Sequence, residues 1–250
     1  MGQSMEITAK EWDIPREHQD QLALASHVKA AAAYDAGWYE DLVVPFLDCE
    51  EDNNIRRDTT FEKLSALKPV FDKSEDGTMT AGNSTPLTDG AAAVLLASED
   101  WANLKNLPIE AYLTYTKVSA VNFIDDEGLL MAPAYAVSEM LKDANLRLQD
   151  FDFYEIHEAF ASQTIATLKA WQSEKFCRDR LGRNHPLGPI DLSKLNVKGG
   201  SLAMGHPFAA TGARIVATMA KLLSEKGSGR GLISVCTAGG MGVTAIMEAA

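Results

Sequence analysis

The stretch FDFYEIHEAFASQTIATLKAW, residues 151–171, decides the fold. FDFYEI reads as a short strand, and EAFASQTIATLKAW has the length and composition of a helix. His157 stands at the junction. The same alternation surrounds it. YLTYTKVSAV (112–121) reads as a strand and AYAVSEMLKDANL (134–146) as a helix, while GLISVC (231–236) and VTAIMEA (243–249) read as two more strands. Strands alternating with helices predict a layered α/β fold. In such folds ligands gather at the carboxyl ends of strands, so a histidine there is a candidate site residue.

The segments before residue 108 read differently. Thr8 to Glu11 has the pattern of a capping box. Pro15 fits the first turn of an alanine-rich helix over 16–37 that ends near Gly37. EEDNNIRRDTTFEKL (50–64) predicts a loop with a short helix, and GTMTAGN (77–83) a short β-like run ending in a turn. AAAVLLAS (91–98) predicts a buried apolar run whose periodicity fits strand or helix equally.

Two further polar groups sit at element ends. In GHPFAATGAR (205–214), Pro207 fits the first position of a helix carrying Ile215, Met219 and Leu222 and closed by Gly227. His206 is then expected at the N-cap, where Ser, Thr, Asp or Asn would cap better. The helix dipole there favours a neutral imidazole, able to take a proton or donate one hydrogen bond. Cys236 closes the run GLISV and precedes TAGGMG, a turn whose free N–H groups can bind an oxyanion. A thiol there is a candidate nucleophile or proton carrier. A buried structural cysteine is the plain alternative. Cys177 and Cys49 receive no role.

The chain has 250 residues, 46% of them hydrophobic, which is ample for a core of one large or two modest domains. A net charge of −12 without a basic face argues against nucleic acid as a partner. No apolar run reaches membrane-span length. The start MGQSMEITAKEW has neither the basic nor the apolar part of a signal peptide, and Glu6 breaks the myristoylation pattern. Three cysteines without metal-like spacing argue against a disulfide framework and for a reducing cytoplasmic setting. No metal cluster and no redox cofactor is implied.

Several long motifs occur in one order: GNSTPLTDGAAAVLLASE, HEAFA, GGSLAMGHPFAATGAR and CTAGGMG. With MGQSMEITAKEWDIPREHQDQLALASHVKAAAA and LKPVFD they resemble the thiolase superfamily over nearly the whole chain. HEAFA in place of the commoner NEAFA, with GHPFAATGAR and EDNNIR, resembles the 3-ketoacyl-CoA thiolase of fatty-acid β-oxidation that partners a multifunctional subunit. The resemblance implies an acetyl-CoA acyltransferase that splits 3-ketoacyl-CoA into acetyl-CoA and a shortened acyl-CoA, or runs the reverse condensation. His206 would activate the nucleophilic cysteine and help hold a carbonyl oxygen. Cys236 would be the acid/base, protonating the acetyl-CoA carbanion and later taking the proton of incoming CoA. His157 would stand for the Asn that positions the water of an oxyanion hole, and its tautomer matters because a neutral imidazole has one N–H. Backbone N–H groups near Ala238 and Gly239 would form a second oxyanion site, with Ala238 where many thiolases have Gly. Arg56, Phe71 and Thr85 fall on CoA-contact positions, suited to phosphate, a flat base and pantetheine respectively. Ala159 and Phe160 are counted with the substrate contacts. Coenzyme A enters as a substrate, and no cofactor is required.

The fold implied is the thiolase fold, layered αβαβα with mixed β-sheets between helices, and incomplete, with the N-terminal half-domain missing. A complete thiolase carries its nucleophile in that half-domain, and none of the three cysteines has that context. Residues 1–78 correspond to part of the loop domain, 79–106 to the last segment of the N-terminal core domain and 107–250 to the C-terminal core domain. The segment 79–106 would then lack sheet neighbours and leave strand edges open. The expected partners are CoA and acyl-CoA thioesters, a second copy or a complementing N-terminal half, and the β-oxidation multifunctional subunit. Two other functions fit the same residues: a cysteine hydrolase acting on thioesters through Cys236 and His206, and a non-catalytic CoA-binding or assembly module. A ketoacyl synthase relative fits less well, because those condensing enzymes place His or Asn where this chain has Cys236.

Overall fold

The computed structural model describes residues 1–124 and 127–250. Its centre is a four-stranded mixed sheet in the order β1-β4-β3-β2, from strands β1 (Ala111–Ala120), β2 (Phe153–Ile156), β3 (Arg230–Thr237) and β4 (Met241–Ala249). β2 runs parallel to β3, while β3 and β4 form an antiparallel hairpin and β4 pairs antiparallel with β1. A register shift between Leu113 and Tyr115 bends the edge strand.

Period-two alternation sends the side chains of β3 and β4 to two cores. Leu232, Cys236 and Ile246 join one cluster with Val137 and Met140 of α5 (Ala132–Asp143) and Ala166, Ala170 and Trp171 of α6 (Ala161–Gln172). Ile233, Ala245 and Met247 join the opposite cluster with Ile215, Met219 and Leu223 of α9 (Thr211–Lys226). The sheet is therefore covered by helices on both faces. Helix α6 has helices packed around it: α1 (Gly2–Glu11), α2 (Arg16–Asp35), α5 and α7 (Glu174–Asp179). That placement explains why its sequence lacks a strongly polar face.

The first hundred residues wrap this core. Glu6 of α1 accepts hydrogen bonds from the Thr78 N–H (2.8 Å), the Thr78 hydroxyl (2.8 Å) and the Met79 N–H (2.9 Å). Small side chains on α2 let α8 (Ser201–Met204) approach. Gly199 (φ 87°) sits so close that an added Cβ would lie 2.5 Å from the Cβ of Ala30. The loop before α3 (Phe61–Ser65) ends on a Thr60 side-chain cap.

Three sequence expectations need correction here. Thr8 lies inside α1, with its hydroxyl bonded to the Ser4 carbonyl at 3.3 Å, so no capping box starts there. The GTMTAGN stretch contributes one bridge, Pro69 with Thr80, and a 3-10 turn over Ala81–Asn83. The run 91–98 is exposed and outside any helix or strand until the capping Ser98, with Leu95 at 71% and Leu96 at 62% exposure. Apolar periodicity reports a face that must be covered, and among the described residues no strand pairs with this segment.

Candidate active site

The site forms where β2 and β3 end together. The His157 N–H donates to the Ser234 carbonyl at 2.8 Å, carrying the parallel ladder one residue past the Ile156–Ser234 pair. Cys236 lies two residues beyond Ser234. The backbones of His157 and Cys236 are thus neighbours on strands about 4.8 Å apart. The Cys236 side chain is buried among the cluster that includes Ile156, Ala159 and Phe160. Burial pushes its thiol up to about 12, so at neutral pH it is an S–H able to deliver a proton, not a standing thiolate.

His206 reaches the site from a different place than its sequence suggests. Helix α9 begins at Thr211 with Ala210 at the N-cap, so Pro207 is not its first residue and His206 is not its cap. Gly205 (φ 93°) ends α8, and a turn containing Ala209 (φ 68°) separates it from α9. An added Cβ on Gly205 would meet Thr88 at 2.5 Å, so this backbone needs both the left-handed conformation and the missing side chain. His206 is anchored by its Nδ1, 2.6 Å from the Thr211 hydroxyl. Its ring centroid lies 4.3 Å from that of His157 and 5.1 Å from that of Phe208.

Both imidazoles are held in the neutral form. His157 is pushed well below its ordinary value by burial, then by His206 and Arg214. His206 is lowered by burial, then by Arg214. The neutral His206 expected from a helix dipole is therefore produced by desolvation and a guanidinium.

A third segment locks the two histidine motifs together. Thr85 donates both its N–H (3.2 Å) and its hydroxyl (2.8 Å) to the Ala159 carbonyl. Thr88 packs against Gly205, and Pro207 is close enough that a Cβ on Gly90 would approach its Cγ to 2.7 Å. NSTPLTDG, HEAFA and GHP thus converge at one end of the sheet.

Glu158 anchors the assembly from below. The Ser26 hydroxyl (2.7 Å), Asn196 side-chain amide (2.6 Å) and Leu202 N–H (3.2 Å) all donate to its carboxylate. Burial raises its carboxyl, and the bonds from Asn196, Ser26 and Leu202 work in the other direction. Sequence reasoning passed over Glu158, Ser201 and Arg214, although each stands inside a quoted motif. An ionisable residue embedded between apolar or small ones was the available signal.

The hairpin turn between β3 and β4 holds Ala238, Gly239 (φ 80°) and Gly240 (φ 72°). Gly240 uses its carbonyl to accept from the Val121 N–H at 2.8 Å. Among the described residues, Ala238 and Gly239 donate their N–H groups to no backbone carbonyl.

The CoA candidates do not gather in one place. Arg56 lines a cleft of about 370 Å³ with His27, Asn54, Lys63, Ser84 and Leu202. Phe71 is not on that cleft; its ring stands edge-on to Phe160 at 5.8 Å, against the core. Phe160 and Ala159 are buried in the same cluster. The Thr85 hydroxyl is committed to Ala159, which leaves it only as an acceptor. A larger surface hollow of about 560 Å³, lined by Ala9, Ile14, Pro15 and Asp76 among others, contains none of the candidate site residues.

Cys177 and Cys49 lie elsewhere. The Cys177 thiol is 3.5 Å from the carbonyls of Ala170 and Trp171, near the far end of α6. Ala170 lies nine residues along the helix from Ala161, about 14 Å. Cys49 is exposed, with its thiol 3.2 Å from the Glu51 carbonyl. Among the described residues no group of three or more His, Cys, Asp and Glu could hold a metal ion, and no helix is long and apolar enough to cross a membrane.

Residues 108–249 match the family model described as "Thiolase, C-terminal domain", and residues 1–100 the one described as "Thiolase, N-terminal domain". The expectation of a missing N-terminal half-domain is not supported in that form, because N-terminal-domain sequence occupies the first hundred residues. The 3-ketoacyl-CoA thiolases of Yersinia pestis (strain Pestoides F) and Yersinia pseudotuberculosis (serotype O:1b, strain IP 31758) are each 46% identical over 254 residues, or 99% of this chain. The chain spans 58% of the length of these relatives. The crystal structure of the Bacillus anthracis acetyl-CoA acetyltransferase superposes with a TM-score of 0.82 at 34% identity, covering 100% of this chain and 60% of that one.

Proposed function

The chain belongs to the thiolase family, and from that premise we propose that it carries the acid/base side of 3-ketoacyl-CoA thiolysis. The observation behind this reading is that His157 and Cys236 lie at the ends of the adjacent strands β2 and β3, with the His206 ring 4.3 Å from that of His157. In thiolysis a nucleophilic thiolate attacks the β-carbonyl carbon. The bond from that carbon to the α-carbon breaks, and its electron pair stays with the acetyl-CoA fragment. Cys236 delivers its proton to that α-carbon. The resulting thiolate then takes the proton of incoming CoA, whose sulfur accepts the acyl group. Neutral His206 and His157 face the thioester oxygens, with the Ala238 and Gly239 N–H groups as a second set of donors. CoA and acyl-CoA thioesters are the proposed ligands, and the cleft at Arg56 is the proposed seat of the CoA phosphates.

The nucleophile is the other half of this reading. Cys49 and Cys177 are tied to other parts of the fold. The 250 residues alone are expected to give no turnover, because covalent catalysis cannot be replaced by the remaining groups. The test incubates the purified chain with acetoacetyl-CoA and CoA, then weighs the intact protein. No acetyl-CoA and no acyl adduct on Cys236 is the expected result. Acetyl-CoA production would overturn the claim, and a stable Cys236 acyl adduct would favour a thioester hydrolase.

A further inference from the structure

We infer that Ser201 and Arg214 are positioning residues that fix His157 in the tautomer with its proton on Nε2. The inference rests on the proposed oxyanion role of His157. Its observation is a row of three side chains joined by two hydrogen bonds. Arg214 Nη2 lies 2.8 Å from Ser201 Oγ, and Ser201 Oγ lies 2.8 Å from His157 Nδ1.

The direction of each bond follows from what the groups can do. A guanidinium has donors only, so Ser201 Oγ accepts from Arg214. A hydroxyl has one hydrogen to give, and among the described residues Ser201 has one partner able to accept it, His157 Nδ1. Ser201 is fully buried, so water does not take that hydrogen. If Nδ1 carried the proton, the hydroxyl would accept from two donors and its own hydrogen would be orphaned in the interior, which native structures avoid. The satisfied arrangement is Arg214 N–H to Ser201 Oγ, then Ser201 O–H to a bare Nδ1. The single imidazole proton is thereby assigned to Nε2.

That nitrogen is the one free to work. Among the described residues Nε2 has no hydrogen-bond partner, and it is not one of the sealed, unpartnered polar atoms of the molecule. It therefore meets accessible space beside His206. His206 has no such lock: its Nδ1 meets the Thr211 hydroxyl, and among the described residues no cation pins that hydroxyl as an acceptor. The two neighbouring histidines are thus divided into a fixed donor, His157, and a base free to exchange its proton, His206. Arg214 contributes twice, through Ser201 and through a positive charge that adds to burial in disfavouring the protonated form of both rings.

The test is long-range 1H–15N correlation spectroscopy of the uniformly 15N-labelled chain at pH 7.5. His157 is assigned by the cross-peaks lost in His157→Gln. A pyridine-like Nδ1 and a pyrrole-like Nε2 are expected. In Ser201→Ala the two nitrogens should move toward averaged shifts, and Ser201→Thr, which keeps the hydroxyl, should restore the original pattern. Circular dichroism identifies any variant that fails to fold. If Ser201→Ala is unfolded, Ser201→Cys and Arg214→Gln carry the comparison. A pyrrole-like Nδ1 in the parent chain, or a tautomer unchanged in folded Ser201→Ala, overturns the inference. The reading on which it rests fails separately: it fails if the tautomer is as expected and folded His157→Gln leaves deuterium exchange into acetyl-CoA unchanged.

Discussion

The rings of His157 and His206 lie 4.3 Å apart with 47° between their planes, and neither carries charge at neutral pH. Two imidazolium ions could not share that space beside Arg214.

This arrangement makes stability depend on pH in a defined direction. A histidine whose folded value is depressed binds its proton more readily in the unfolded chain. Its contribution is complete above the unfolded value of about 6.5 and is lost as pH falls toward the folded value. His27 adds to the effect: burial and the neighbouring Arg56 push it down to about 4, while its Nδ1 accepts the Arg56 N–H at 3.1 Å. Urea unfolding at pH 7 and 4.5 should show a loss of about 2 kcal/mol from this one residue, reduced in His27→Gln. An equal loss in parent and variant would contradict the assignment.

Glu158 has three donors aimed at its carboxylate from three separate parts of the chain. Truncation strands those donors in the interior, so Glu158→Ala should cost about 3–5 kcal/mol in urea unfolding. Glu158→Gln should cost less, because its carbonyl oxygen still accepts. A cost under about 1 kcal/mol for the alanine variant would show that the network contributes little.

Ala209 holds φ 68° in the turn between His206 and α9. An alanine in the left-handed region is strained by its Cβ, by about 1 kcal/mol. Ala209→Gly should therefore raise the thermal midpoint by a few degrees. A lowered midpoint would mean that the methyl group packs more favourably than the backbone is strained.

Cys236 is buried and its thiol is pushed up to about 12, whereas Cys49 is exposed. Thiolate fraction and access control alkylation. Limited iodoacetamide at pH 8, read by peptide mass spectrometry, should modify Cys49 at least tenfold faster than Cys236. Comparable rates would contradict the buried, protonated thiol.

Much of the C-terminal architecture was legible because its strands and helices are covered and patterned. FYEI, GLISVC and VTAIMEA carry period-two faces that match the two cores. The motif residues His157, His206 and Cys236 were legible as polar groups at element ends. The start of α9 was misplaced because Pro207 is a good first helical residue in isolation, while Gly205, Thr88 and Ala209 impose an intervening turn. The run 91–98 misled for the opposite reason: apolar composition says a surface should be covered without saying that these residues supply the cover. Phe71 and Thr85 sit at readable positions, yet Phe160 and the Ala159 carbonyl, remote in sequence, decide what they touch. Ser201 and Arg214 were invisible as a pair, because only the fold brings a helix start and a helix interior onto one imidazole.

The central claim is that Cys236 exchanges a proton with the α-carbon of a CoA thioester beside two neutral histidines. The most direct measurement incubates the chain with acetyl-CoA in deuterium oxide and follows the methyl group by proton NMR, with Cys236→Ala as the comparison. Deuterium entering the methyl group faster than in buffer, and returning to the buffer rate in Cys236→Ala, is the expected result. Exchange at the buffer rate with the parent chain, or exchange that survives Cys236→Ala unchanged, would contradict the account.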